Sequence, residues 1–173
     1  MTRLSGGLID RNRSLNFTFN GKSYTGHAGD TLASALLAND VRLMGRGFKY
    51  HRPRGAVSAG SEEPNALIGT SRGKGRFEPN TRATVQELRD GLITESQNKW
   101  PSLSFDIGAV NDRAYMLFSA GFYYKTFMYP QNLWMTYEKY IRKAAGLGRS
   151  PTEVDPDIYD QMNQHCDVLI VGA

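Results

Sequence analysis

Leu15, Phe17 and Phe19 alternate with Asn16, Thr18 and Asn20, and Gly21 follows directly. Alternation with a period of two puts three large apolar side chains on one face of a strand, which must then be covered. Asn-Gly supplies two residues that tolerate positive φ, so the chain must fold back at once as a hairpin. The returning strand runs Lys22 to Ala28, with Tyr24 as its core candidate. Asp30 then precedes Thr31-Leu-Ala-Ser-Ala-Leu-Leu-Ala and is placed to cap a short helix whose Leu32, Ala35 and Leu36 share a face. Further strands are expected at Val41–Met44, Ala66–Gly69, Thr81–Leu88 and Leu92–Thr94. The glycine-rich, cationic SRGKGRFEPN is expected as an exposed hairpin tip between two of them. Together these elements predict an α+β fold, a mixed sheet grasping one helix, over residues 14–95.

Between these strands lies GRGFKYHRPRGAVSAGSEEPNALI, Gly45 to Ile68. Arg46, Lys49, Arg52 and Arg54 carry no acidic neighbour before Glu62. Unpaired cations are too costly to bury, so the run is a loop, either solvated or laid against an anion such as a cofactor phosphate or an acidic partner face. The net charge is +4 over 173 residues, local basicity rather than the broad patch of a nucleic-acid binder. His51 has no acidic residue adjacent in sequence, which favours structural hydrogen bonding over general-base work. Glu62 and Glu63 are expected to brace the loop by pairing with Arg52 or Arg54. A single cysteine, Cys166, excludes a disulfide framework and an all-cysteine metal site within one chain, and at the head of an apolar run it reads as a small buried hydrophobe. No apolar run reaches membrane-helix length, and the polar first residues are unlike a signal peptide, so a cytoplasmic location is expected.

Residues 1–13 read as an arm lying on another surface. Residues 96–149 form an extension, irregular over KWPSLSFDIGAVND and then rich in aromatics from Arg113 to Met128. QNLWMTYEKYIRKAAG has helical spacing, with Gly146 as its cap. Two readings of this aromatic surface stand side by side: docking against mass outside this chain, or a helical subdomain folded over the sheet. Residues 150–165 are acidic and proline-bearing, as in a linker. Residues 166–173, CDVLIVGA, read as an apolar strand ending at Gly172, the opening of a dinucleotide-binding motif.

FKYHRPRG, the downstream EEPNAL and the strand DVLIVGA together resemble the N-terminal region of the alpha subunits of heterotetrameric sarcosine oxidases, within a wider family of amine and amino-acid dehydrogenases. The resemblance implies a β-grasp domain similar to plant-type [2Fe-2S] ferredoxins. Laid on this chain through Arg54-Gly55 and Arg89-Asp-Gly91, the four cluster-cysteine places of that family fall on Ser58, Glu63, Ala66 and Thr84, which implies a ferredoxin-like fold without its cluster. It also implies a non-catalytic part of a flavoenzyme complex that oxidatively demethylates sarcosine. In that complex FAD and FMN lie elsewhere, NAD lies in the alpha subunit, and folate accepts the one-carbon unit. The partners implied are the remainder of the alpha subunit and the other subunits. The competing expectation is a stand-alone β-grasp module whose basic loop recognises an anionic partner.

Overall fold

The computed structural model describes residues 3–117, 129–144 and 147–171. β1 (Asp10–Phe19) and β2 (Lys22–Ala28) form the expected hairpin, with Asn20 at φ 52° and Gly21 at φ 75° in the turn. β1 starts earlier than the alternation suggested, because an irregularity between Asp10 and Ser14 lets the front of the strand rejoin β2 at Ala28. The arm ahead of it lies on its own domain: Arg3 donates from both terminal nitrogens to Asp30, at 2.9 and 2.6 Å.

α1 (Leu32–Ala38) buries Leu32, Ala33, Ala35, Leu36 and Ala38. Its cap is Thr31 and not Asp30: the Thr31 hydroxyl accepts from the Ser34 amide while the Ser34 hydroxyl accepts from the Thr31 amide. Asp30 is instead withdrawn into the interior. It accepts from Arg3, from the Ser34 hydroxyl at 2.6 Å and from the His27 amide at 2.8 Å. Burial by itself raises its carboxyl, but these hydrogen bonds outweigh that and hold it below the usual aspartate value.

Val41–Met44 is not a strand. Met44 turns fully into the core, and pairing begins one residue later, between β3 (Gly45–Arg46) and β4 (Pro53–Arg54). β5 (Leu67–Ser71) and β6 (Phe77–Arg82) form a hairpin whose turn is confined to Arg72–Arg76, so half of the expected tip is strand. Past Arg82 the chain stops pairing as a strand, since the amides of Val85 and Gln86 both donate back to the Arg82 carbonyl in a turn. β7 (Leu92–Ser96) closes the sheet, pairing parallel to β1 and antiparallel to β5, in the order β2-β1-β7-β5-β6. The core lies between this sheet and α1, built from Leu15, Phe17, Phe19, Leu32, Leu36, Met44, Ile68 and Leu92. A mixed sheet curled around one helix is the β-grasp arrangement expected.

Beyond the sheet, a 3₁₀ turn (Ile107–Asp112) interrupts the irregular connection, and α2 (Trp134–Ala144) forms where helical spacing predicts it. Most of the aromatic run and the Gly146 cap lie outside the described residues. From Cys166 to Val171 the chain is exposed and joins no ladder among the described residues, so the expected terminal strand is not formed here. Cys166 is correspondingly exposed and not the buried hydrophobe expected.

Candidate functional site

The β3-β4 ribbon carries the basic loop between its two strands, and the chain then winds through residues 55–66 before entering β5. The four cationic side chains have different fates. Arg46 is drawn inward, donating to the carbonyls of Leu103 at 2.9 Å, His51 at 3.1 Å and Ser104 at 3.2 Å. Arg52 pairs with Asp112, and this pairing raises the guanidinium above its already high ordinary value. Arg52 and Lys49 also flank the Tyr50 ring, 4.8 and 5.1 Å from its centroid. Arg54 is exposed and lies across Gly47, beside a cavity of about 280 Å³ that Asn65 and Asn98 also line. Arg46 and Arg52 are thus engaged within the chain, by backbone carbonyls and by Asp112.

His51 makes a structural hydrogen bond, as expected. Its Nδ1 lies 2.8 Å from Asp106 Oδ2, a partner 55 residues away that local sequence reasoning could not reach. Two further features accommodate the pair. His51 holds φ 52°, a strained region for a residue with a side chain. At Gly108 any Cβ would stand 2.4 Å from His51 Nδ1, so the ring fits only over glycine. Asp106 also accepts from the Gly108 amide at 2.9 Å, tying the 3₁₀ turn to the basic loop. Replacing Asp106 by alanine is expected to cost about 1–3 kcal/mol in urea unfolding, because the half-buried Gly108 amide and His51 ring both lose their partner. A loss below about 0.5 kcal/mol, the range of ordinary surface changes, would contradict that role.

Glu63 is completely buried, and neither it nor Glu62 pairs with an arginine side chain as expected. Its Oε2 accepts from the amides of Val57 and Ser58, each at 2.7 Å, and from the Ser58 hydroxyl at 3.3 Å. Oε1 accepts from the Asn65 amide at 2.8 Å. Burial alone raises this carboxyl, yet the amide bonds prevail and lower it below the usual glutamate value. The arginine contact goes to its backbone: Arg82 Nε donates to the Glu63 carbonyl at 3.1 Å.

The four places named for cluster ligands converge on this knot. Ser58 bonds Glu63, the Thr84 hydroxyl donates to the Gly60 carbonyl at 2.7 Å, and the Ala66 carbonyl accepts from the Ala83 amide at 2.9 Å. Their chemistry does not fit an iron-sulfur cluster. One methyl, two hydroxyls and one carboxylate supply no thiolate, and each polar group is already spent on the protein. Among the described residues no group of three or more His, Cys, Asp or Glu side chains is placed to hold a metal ion. Gly172 lies outside the described residues.

The sequence profile of the 2Fe-2S iron-sulfur cluster binding domain matches residues 12–99, all of the sheet but the first two residues of β1, together with α1 and the basic loop. The chain is similar to a sarcosine oxidase subunit alpha of Rhizobium meliloti (strain 1021), 60% identical across 96% of this chain and 17% of that protein. It is also similar to the corresponding subunits of Corynebacterium sp. strains U-96 and P-1. These are 32% and 34% identical across 98% and 95% of this chain, and 13% and 12% of theirs. The chain thus spans less than a fifth of these relatives. A solved L-proline dehydrogenase from P. horikoshii aligns with half of this chain and 16% of its own at TM-score 0.40 and 23% identity, a likeness too loose to bear weight. The curled sheet and the matched span together establish that the chain belongs to the 2Fe-2S iron-sulfur cluster binding domain family, as a homologue of sarcosine oxidase alpha subunits.

Proposed function

We propose that this chain is the front, structural part of a sarcosine oxidase alpha subunit, working in a flavoenzyme complex that oxidatively demethylates sarcosine and carrying out no chemistry alone. In this reading residues 14–95 are a β-grasp frame that holds no cluster. The extension 96–149 packs it into the assembly, residues 150–165 link, and residues 166–173 open a dinucleotide-binding domain at Gly172. FAD and FMN belong to other parts of the complex, NAD to the rest of the alpha subunit, and Arg54 faces a partner surface. The complex works in the cytoplasm. The observation that carries the proposal is the 60% identity over 96% of the chain, which takes in the extension and linker as well as the sheet.

The test is sarcosine-dependent peroxide formation. The assembled complex carrying this sequence at the front of its alpha subunit is expected to form peroxide, and the chain alone to form none. Turnover by the chain alone would overturn the proposal, as would an assembled complex that ignores sarcosine.

A further inference from the structure

The loop 55–66 raises a physical question that the cluster-free reading leaves open, namely why a fully buried carboxylate sits at its centre. Burying an ionised carboxylate is costly unless it is paired or fully hydrogen-bonded. Among the described residues no cation forms an ion pair with Glu63; the Arg82 Nε contact goes to its backbone carbonyl. What surrounds the carboxylate is a set of neutral dipoles: consecutive amides of Val57 and Ser58, the Ser58 hydroxyl, and the amide of Asn65. Successive backbone N–H groups turned to one point make a concavity suited to an anion. Neutral occupants fit it badly. An amide side chain has one accepting oxygen, and its NH₂ would face N–H donors on the other side.

We infer that residues 55–66 form an anion-binding nest for a small carboxylate, and that Glu63 is its built-in occupant. The inference rests on the proposal that this domain holds no cluster. The carboxylate takes one of the four ligand places and fixes the other three around itself: Ser58 by direct bonding, and Ala66 and Thr84 through the turn anchored at Gly60 and the Ala83 amide. The loop is thereby held shut by an acid of the chain itself. Glu63→Ala removes four heavy atoms, a methylene carbon and the carboxylate, which is the size of acetate. The emptied nest should therefore take acetate from solution.

The experiment compares thermal unfolding of the complete chain, Glu63→Ala and Glu63→Gln at neutral pH in chloride, acetate and acetamide of equal concentration and ionic strength. Glu63→Ala is expected to melt about 8 °C or more below the parent in chloride, and acetate is expected to recover at least about half of that loss. Acetamide, neutral and carrying its own N–H donors, should recover none. Glu63→Gln should melt low and gain nothing from acetate, because its side chain fills the space. An unchanged midpoint for Glu63→Ala, or equal recovery by acetate and acetamide, would overturn the inference.

A measurement on the unaltered chain keeps the inference testable if the variants do not fold. The amides of Val57, Ser58 and Asn65 should exchange with solvent at least about tenfold more slowly than exposed loop amides. Exchange at the free-loop rate would refute the nest. Iron and sulfide analysis of the same preparation separates the two levels. Stoichiometric cluster overturns the cluster-free proposal, whereas iron-free protein with free-loop exchange at those three amides overturns only this inference.

Discussion

Alanine in place of Asp30 is expected to remove about 3–5 kcal/mol of stability, the range seen when one member of a buried ion pair is deleted. Asp30 has no exposed side-chain surface and its partner Arg3 only 12%. Without the carboxylate, the guanidinium, the Ser34 hydroxyl and the His27 amide lose their acceptor together. The arm, α1 and β2 meet at this one group, so all three should loosen. Urea unfolding at neutral pH measures the effect, and a midpoint shift worth less than about 1 kcal/mol would show that Asp30 is not the tie. The same group, with Glu63, sets the acid limit. Both carboxyls have folded-state values below their unfolded ones, so the unfolded chain binds more protons. Their contribution is complete above the ordinary carboxylate range near about 4 and drains away as pH falls through the lower folded values. The Asp30→Ala variant should therefore show a flatter stability profile than the parent between roughly pH 5 and 3.

The second large effect is expected at Phe17. This ring is 2% exposed, stacks on Tyr24 with centroids 5.8 Å apart, and rides on β1, which pairs with strands on both sides. Phe17→Ala should cost about 3–5 kcal/mol, combining lost transfer energy with a cavity that a strand pinned on both edges cannot collapse to fill. Val57→Ala, on a side chain 73% exposed, is the control and should stay within about 0.5 kcal/mol. A Phe17 variant no worse than that control would remove the core assigned above.

What the sequence made legible was local. Asn20-Gly21 announces its own turn, and the alternation of Leu15, Phe17 and Phe19 announces which face is buried, because both signals act within a few residues. Asp30 shows where local reasoning stops. A carboxylate ahead of a helix looks like a cap, but Thr31 offers the same chemistry one position nearer, and the arrival of Arg3 from 27 residues away decides which of them turns inward. Asp106 reaches His51 across 55 residues, so nothing near the histidine foretold its partner. At Glu63 an arginine-rich neighbourhood suggested ion pairs, whereas backbone amides, which carry no sequence signal, won the carboxylate. The four cluster places were located by family likeness alone, and their meeting in one knot depends on the sheet bringing β5 beside the turn after β6.

The parallel pairing of β1 with β7 has a consequence for synthesis. As the chain leaves the ribosome, β1 and β2 emerge first, but the inner edge of β1 has no mate until Leu92–Ser96 follows. At translation rates of about 5–20 residues per second, that edge waits seconds with its apolar face uncovered. Chaperone demand should therefore peak while the nascent chain ends short of Ser96 and drop once that stretch has cleared the exit tunnel.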